Sequence, residues 1–336
     1  MEKRTNLWTV MLSGGDGERL RPFVQRLFGR DRAKQYCTFI GHRTMFEPTA
    51  YRARMLAPAH HSVAVMAKTH VEHGWVGREQ MPEGKLLAQT CNHDPGSGVL
   101  LPLAYVGRKD PDATVVILPC YHFVYPEFLF TQRVIKTIEA VEAFLDRVVF
   151  LGASPEKVDA DLVWIELGAS LSSSLNSGVY RVSCFIEKPP ADEAARIMRS
   201  GGLLNTLVIV CRVSSLWTLC QSHFPGTIGL LERVATAFDT DREDEELRYI
   251  YREMPSWNLS KHLLGQCAEN LAVMELDNVQ WSDWGKPERI LDSIGRMSPA
   301  NDQIWNTELL NLSGVGAKPL KWKGATPIEE PNYVTH

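Results

Sequence analysis

Short apolar runs alternate with amphipathic segments along most of the chain. The apolar runs are rich in Val, Ile and Leu and are bounded by turn-forming residues, which is typical of buried strands. Between them, apolar residues recur at three- and four-residue spacing, which predicts helices that bury one face. The predicted strands are 8–12, 62–66, 113–118, 147–152, 180–187, 203–212 and 271–276, and the predicted helices are 44–56, 126–145, 190–201 and 239–254.

This alternation predicts an α/β fold, a Rossmann-like, mostly parallel mixed sheet flanked by helices on both faces. Ligands of such sheets bind beyond the carboxyl ends of the strands. We therefore expect Gly14–Gly17, Pro119–His122 and the loop after Glu187 to lie near one rim. Residues 1–298 are interpreted as one domain, 299–336 as an irregular tail, and 170–178 as a flexible hairpin tip.

Composition narrows the possible partners and compartment. With 36 Lys and Arg against 40 Asp and Glu, the chain has no general basic field to attract nucleic acid or an anionic membrane. No apolar run approaches the roughly 20 residues that a membrane span needs, and the first residues lack the apolar core of a signal peptide. Seven cysteines occur singly without a CxxC pair, which is typical of reduced thiols. We expect a cytoplasmic protein without nucleic-acid or membrane partners.

The first predicted strand runs into a glycine-rich bend, "SGGDGERLRP". Glycines at 14, 15 and 17 permit unusual backbone angles and let N–H groups approach a phosphate closely. Arg19 and Lys34 could then neutralise phosphate oxygens. The bend is no Walker A loop, because no Gly-Lys-Ser/Thr closes it, and no dinucleotide fingerprint, because Leu20 stands where the third glycine belongs. A phosphate loop and a tight structural turn both remain open from the glycines alone.

Later segments, in order from about residue 8 to 293, give the bend a context. "GGDGERLRP" matches a GG-x-G-x-R-L-x-P loop, and "AKQY" matches P-K-Q-[FY] with Ala33 in place of proline. "FIEKP" keeps an E-K-P motif and "WSDWGKPERI" keeps W-x-D-x-G. Weaker echoes are "QTCNHDPGSGVLLPL" of a Q-P-x-N segment, "PCYHFV" of P-x-D-H, and "LLNTLVIV" of W-N-S-G. With these motifs the chain resembles the sugar-1-phosphate nucleotidyltransferases, and among them the mannose-1-phosphate guanylyltransferase branch.

The resemblance implies that a sugar-1-phosphate attacks the α-phosphorus of a nucleoside triphosphate and releases pyrophosphate. GTP and mannose-1-phosphate are the expected pair, Mg²⁺ is the expected cofactor, and a homo-oligomer is left open. The implied catalytic residues are Arg19, Lys34 and Asp283, with Asp283 also the metal ligand. The implied nucleotide-binding residues are Leu12, Gly14, Gly15, Gly17, Gln89 and Asn92, and the implied sugar-phosphate-binding residues are Glu187, Lys188 and Asn205. Asp16 and Glu18 would repel phosphates, so we expect their side chains to point away.

Several positions depart from the pattern of the family. Tyr121 stands where P-x-D-H has a metal-binding aspartate, and a phenol with an ordinary pKa of about 10 is a poor Mg²⁺ ligand. Leu162 and Val163 replace residues of a glycine-rich sugar-binding strand, and Thr206 and Leu207 replace the serine and glycine after Asn205. The nucleotide half is thus better kept than the sugar half, which indicates altered sugar specificity or lost turnover.

Other constellations in the chain allow other functions. His70 and His73 could share a helix face and bind a metal, and Cys120 with His122 could form a thiol–imidazole nucleophile, but buried packing explains both equally simply. The alternative function is a nucleotide- or nucleotide-sugar-binding regulatory protein without turnover. An NAD-dependent dehydrogenase is disfavoured, because the acidic residue expected after the glycines is Asp31 in a basic loop.

Overall fold

The computed structural model describes residues 6–75, 81, 83–91, 94–143, 146–171 and 178–297. The strands are β1 Leu7–Ser13, β2 Ser62–Ala67, β3 Lys85–Gln89, β4 Thr114–Pro119, β5 Phe123–Tyr125, β6 Val148–Ala153, β7 Val163–Ser170, β8 Val179–Glu187, β9 Leu203–Arg212, β10 Leu271–Glu275 and β11 Gln280–Ser282. The helices are α1 Arg21–Phe28, α2 Phe46–Leu56, α3 Lys68–Glu72, α4 Asp94–Lys109, α5 Glu127–Ala143, α6 Ala191–Arg199, α7 Val213–His223, α8 Pro225–Ala235, α9 Glu243–Glu253, α10 Leu259–His262 and α11 Pro287–Arg296.

A nine-stranded mixed sheet forms the centre of the molecule, in the order β3-β2-β1-β4-β9-β6-β10-β8-β7. The four strands β3, β2, β1 and β4 are parallel, so their carboxyl ends share one edge. β9 then runs antiparallel to β4 and β6, and β8 runs antiparallel to β10. β7 pairs with both β8 and β9, so the second half of the sheet closes into a ring of pairings. The predicted mixed α/β architecture is confirmed.

Helices cover both faces of the sheet because its central strands are apolar on both sides. Trp8 and Val10 of β1 pack with α4 and with α7 to α9, whereas Met11 of the same strand packs with α2 and α5. This two-sided burial explains why β1 reads as a continuous apolar run rather than an alternating one. The seven predicted strands are confirmed to within one residue at each end.

A separate apolar cluster joins the two ends of the described chain beside the main sheet. Leu20 and Phe39 from the region after β1 pack with Trp284 and with Ile290 and Ile294 of α11. The last two lie four residues apart on one helix face. In addition, β11 pairs with β5, with Trp281 opposite Val124. These contacts carry the segment around residue 283 to the loops that follow β1 and β4.

Some predicted features fall outside the described residues or were missed. The tail 299–336 and most of the hairpin tip, 172–177, lie outside them, although β7 and β8 pair on either side of that tip. The short strands β3, β5 and β11 were not predicted, because three to five residues without strong alternation give little signal. None of the helices in the described ranges combines the length and apolar character that crossing a membrane demands.

Candidate functional site

The bend after β1 is built around glycines that have different physical reasons. Gly17 has a φ of 65°, in the left-handed region, and begins a short 3-10 turn over Glu18–Leu20. A Cβ on Gly14 would overlap Oε1 of Gln89, whereas a Cβ on Gly15 would meet nothing within 4 Å. The bend therefore leaves open space beside Gly15, as a loop that holds a ligand requires.

Lys34 connects this bend to the far end of the described chain. Its side chain lies in a 3-10 turn over Lys34–Tyr36 and is 9% exposed. Nζ donates to the carbonyl oxygens of Asp283, at 2.5 Å, and Trp284, at 3.0 Å. The Lys34 backbone nitrogen lies 3.5 Å from the place of a Cβ on Gly17. The sequence prediction that the glycine bend and residue 283 share one site is thus supported by direct geometry.

The charge of Lys34 depends on its burial. Desolvation lowers the pKa of the amine to about 7, although the nearby Asp283 carboxylate acts in the opposite direction. Arg19 and Arg289 lower the pKa further by charge repulsion. The ammonium also lies 5.1 Å from the centroid of the Tyr121 ring. An arriving polyanion would favour the protonated amine, so the site can gain a proton on binding.

Arg19 and Leu12 complete the nucleotide side of the site. Arg19 is exposed, and one of its guanidinium nitrogens lies 3.3 Å from the place of a Cβ on Gly285. Leu12 is buried at the end of β1, and its carbonyl accepts a bond from the Cys120 amide. Asp16 turns its carboxylate to His70, 3.4 Å away, which agrees with the expectation that it points away from a bound phosphate.

Gln89 lies at the carboxyl end of β3 and reaches back to the bend. Its side chain is buried, and Nε2 donates to the Tyr251 hydroxyl at 2.7 Å. The amide thus fixes the wall beside Gly14 through Tyr251 on α9. Asn92, the other residue predicted to face the base, lies outside the described residues.

The loop after β4 differs from the expected acidic one. Burial raises the pKa of the Tyr121 phenol far above its ordinary value, with Cys120 and Asp283 adding to the effect, so Tyr121 is neutral. His122 accepts from Trp281 Nε1 at 3.3 Å and hydrogen-bonds the Thr206 backbone. Burial lowers the pKa of His122 to about 3, so its imidazole is neutral and positions β9 and β11 rather than transferring protons.

Asp283 and Arg289 form an ion pair that sequence reasoning missed. Asp283 Oδ1 accepts from Arg289 Nη1 at 2.6 Å and from the Gly285 amide at 3.0 Å. The other terminal nitrogen of Arg289 donates to Asp159 Oδ2 at 2.7 Å. Burial raises the pKa of the Asp283 carboxyl, but Arg289 and Lys34 outweigh it and hold the pKa below its usual value. Asp283 is therefore ionised and paired.

These surroundings do not fit the Mg²⁺ that the resemblance implies. The Asp283 charge is already compensated by Arg289, and its neighbours Lys34 and Arg19 are cations. Tyr121 supplies a neutral phenol where a second carboxylate would sit. Within the described ranges no three His, Cys, Asp or Glu side chains gather in a group able to hold a metal. Metal ligation by Asp283 stays a prediction, and the donor set disagrees with it.

The sugar-phosphate residues lie at the same level of the sheet, though they are only loosely gathered. Glu187 is opposite Val163, whose neighbour Trp164 is opposite Leu204, beside Asn205. The Asn205 side chain accepts from the Leu207 amide at 2.9 Å. The Lys188 ammonium is 3.7 Å from the Glu187 carboxylate, and its side chain is largely exposed and able to turn toward a ligand.

Left-handed backbone is concentrated at this site. Lys188, Leu207 and Trp284 have φ values of 46°, 55° and 44°. Side chains other than glycine and asparagine rarely adopt this conformation, and it recurs at ligand-binding sites. Leu207 is the position where the W-N-S-G pattern has glycine, so the backbone shape of that pattern is kept without its residue.

The two other sequence constellations find structural explanations. His70 is buried, with its ring nitrogens near Asp16 and the Tyr36 hydroxyl. Cys120 is fully buried, and burial strongly raises the pKa of its thiol. A thiolate nucleophile paired with the neutral His122 is therefore not supported. All seven cysteines lie in described positions, and none forms a disulfide.

Comparison with known proteins extends the sequence resemblance. No family profile matches the chain. It is 24% identical over 295 residues to mannose-1-phosphate guanylyltransferase 2 of Escherichia coli O157:H7, covering 84% of this chain and 59% of that protein. It is 23% identical over 313 residues to mannose-1-phosphate guanylyltransferase of Sinorhizobium fredii, covering 91% and 56%. It thus spans somewhat more than half the length of these curated relatives.

Solved structures show the same fold. A Thermus thermophilus structure titled mannose-1-phosphate geranyltransferase superposes with a TM-score of 0.73 at 24% identity, covering 88% of this chain and 81% of that one. A UDP-glucose pyrophosphorylase bound to UDP-glucose gives 0.51 at 11% identity, covering 86% and 97%. The resemblance to the sugar-1-phosphate nucleotidyltransferases is confirmed, as that of a divergent relative.

Proposed function

We propose that the chain transfers a nucleotidyl group from a nucleoside triphosphate to a sugar-1-phosphate and releases pyrophosphate. GTP and mannose-1-phosphate are the first pair to test, because two curated relatives carry that activity in their names. The fold and the order of the motifs support the class of reaction.

The observation that carries the proposal is the clamp on Lys34. Its ammonium is held between the carbonyls of Asp283 and Trp284 and lies beside the glycine bend. Arg19 adds a second, exposed cation. A polyphosphate in the open space at Gly15 would meet backbone N–H groups and two positive side chains, which are the partners such an anion needs.

Phosphoryl chemistry of this kind needs positioning and charge compensation more than covalent participation. The sugar phosphate oxygen would attack the α-phosphorus while the bond to the pyrophosphate leaving group breaks. Lys34 and Arg19 would stabilise negative charge that develops on the phosphate oxygens. Lys188 and Glu187 would hold the phosphate and the hydroxyls of the sugar, which remains the role implied by the resemblance.

A second candidate function is binding of a nucleotide or nucleotide-sugar without turnover. Two observations favour it: the phenol of Tyr121 replaces the expected carboxylate, and Asp283 is paired with Arg289. Leu162 and Val163 also make the sugar-binding strand bulkier than the pattern of the family.

A pyrophosphate-release assay separates the two functions. Each of the four common triphosphates is combined with a panel of sugar-1-phosphates, in Mg²⁺ and in EDTA, and triphosphate binding is measured in parallel by calorimetry. Lys34→Met should abolish release and binding, whereas Lys136→Met, on an exposed position of α5, should change neither. Release with any pair supports the transferase. Binding without release supports the second candidate, and absence of both contradicts each.

A further inference from the structure

Arg289 lies between two carboxylates at the candidate site. One terminal nitrogen is 2.6 Å from Asp283 Oδ1 and the other is 2.7 Å from Asp159 Oδ2. The Arg289 side chain is 9% exposed, although it belongs to the first turn of a surface helix, α11. Such burial of a guanidinium is unusual unless its charge is compensated.

The guanidinium does here what a divalent cation does between two carboxylates. It brings two anionic side chains from distant parts of the chain to one positive centre, and its own position is 130 residues from Asp159. Its planar fork matches carboxylate oxygens with directed hydrogen bonds, and its charge is permanent. The pKa of Arg289 rises despite burial, because both carboxylates favour the charged form.

The rest of the site supplies charge of the same sign. Lys34 donates to the Asp283 carbonyl, and the Arg19 guanidinium lies near Gly285. Three cations therefore face the two carboxylates Asp283 and Asp159, which leaves these five side chains a formal excess of one positive charge when Lys34 is protonated. A metal ion would have to displace Arg289 or approach this excess, whereas a polyanion would be attracted by it.

We propose that Arg289 takes the place of a divalent cation at this site, so that the triphosphate binds without a metal ion on Asp283. Arg289 neutralises the Asp283 carboxylate, which would otherwise repel the phosphates. Lys34 and Arg19 then compensate the charge of the polyphosphate directly. This inference rests on the proposed function for the identity of the anion, but not for the pairing itself.

Manganese binding, followed by the loss of the free Mn²⁺ signal in electron paramagnetic resonance, tests the pairing without any nucleotide. Wild-type protein and Asp283→Asn should bind Mn²⁺ equally weakly. Arg289→Met, which keeps the length of the side chain and frees both carboxylates, should bind Mn²⁺ at least roughly tenfold more tightly, about the effect of one good charge pair. The double variant Arg289→Met/Asp283→Asn should lose that gain.

A wild-type Mn²⁺ site that Asp283→Asn removes would overturn the proposal. Arg289→Lys provides a second comparison should Arg289→Met unfold, which circular dichroism detects. A lysine keeps the charge but cannot fork to both carboxylates, so we expect intermediate Mn²⁺ affinity. Arg289→Lys affinity equal to wild type in a folded protein would contradict the bridging role.

Nucleotide binding then tests the consequence. Calorimetric titration with GTP should give wild-type dissociation constants that agree within about twofold between EDTA and Mg²⁺, whereas Arg289→Met should bind roughly tenfold more tightly with Mg²⁺. A wild-type requirement for Mg²⁺ would overturn the proposal. If no triphosphate binds wild type in either buffer, the proposed function fails, and the Mn²⁺ titration still decides whether Arg289 excludes a metal.

Discussion

The buried amine of Lys34 makes the stability of the protein depend on pH in a direction that can be worked out. Its pKa is lowered from 10.5 to about 7 in the folded chain, chiefly by desolvation. Between these values the unfolded chain holds a proton that the folded chain lacks, so the free energy of unfolding rises with pH. The stabilising contribution is complete above a pH of 10.5, the ordinary pKa of the amine, and is lost as the pH falls through about 7.

The size of this effect follows from the pKa difference. Each pH unit between the folded and unfolded pKa adds at most about 1.4 kcal/mol to the free energy of unfolding. The whole window therefore corresponds to at most about 5 kcal/mol. From about pH 7 to about pH 9 we expect a gain approaching roughly 3 kcal/mol from this group alone.

Urea unfolding of wild type and Lys34→Met across this pH range isolates the contribution of Lys34. Methionine fills similar space without titrating, so other titrating groups cancel in the difference between the two proteins. That difference should be constant below about pH 6 and should then rise in favour of wild type. Lys136→Met, an exposed control, should show no such slope. A difference that stays flat to about pH 9 would refute the reasoning, because the Lys34 amine would then titrate as it does in the unfolded chain.

Three further predictions concern the bend, the sugar phosphate and the loop after β4. Gly14→Ala should lower the free energy of unfolding by about 1–3 kcal/mol, because its Cβ overlaps the buried Gln89 amide; Gly15→Ala, with open space around its Cβ, should change it by less than about 0.5 kcal/mol in the same urea titration. Lys188→Ala should raise the KM for the sugar phosphate about tenfold with kcat little changed, and Lys188→Arg should restore most of it; steady-state kinetics with equal KM values would remove Lys188 from the site. Tyr121→Asp should place a carboxylate beside the Lys34 ammonium and weaken GTP binding in EDTA about tenfold by calorimetry; tighter binding in EDTA would contradict the placement of that ring.

Much of the fold and part of the site follow from patterns local in the sequence. The parallel strands are strongly apolar, and the glycine bend and Lys34 lie within one short stretch, so their proximity is nearly dictated by chain connectivity. Asp283 was assigned by the order of motifs alone, and the contacts of β11 with β5 explain how it reaches Lys34.

The Arg289 bridge could not be predicted in this way. Arg289 follows Asp283 by six residues on an amphipathic helix, where a charged residue ordinarily faces solvent. Its second partner, Asp159, lies in a loop before β7 that carries no motif. Only the packing of α11 through Ile290 and Ile294 turns the guanidinium inward, and such packing depends on contacts that no local pattern encodes.

The clasp between Lys34 and the 283–284 carbonyls joins positions about 250 residues apart, and this separation has a consequence for biosynthesis. A ribosome adding about 5–20 residues per second releases the glycine bend many seconds before the segment that completes it. Until α11 emerges, the nascent chain can assemble its parallel strands but holds an amine without its acceptors. Competence to bind the anion would therefore be acquired last, and prematurely terminated copies would remain inert.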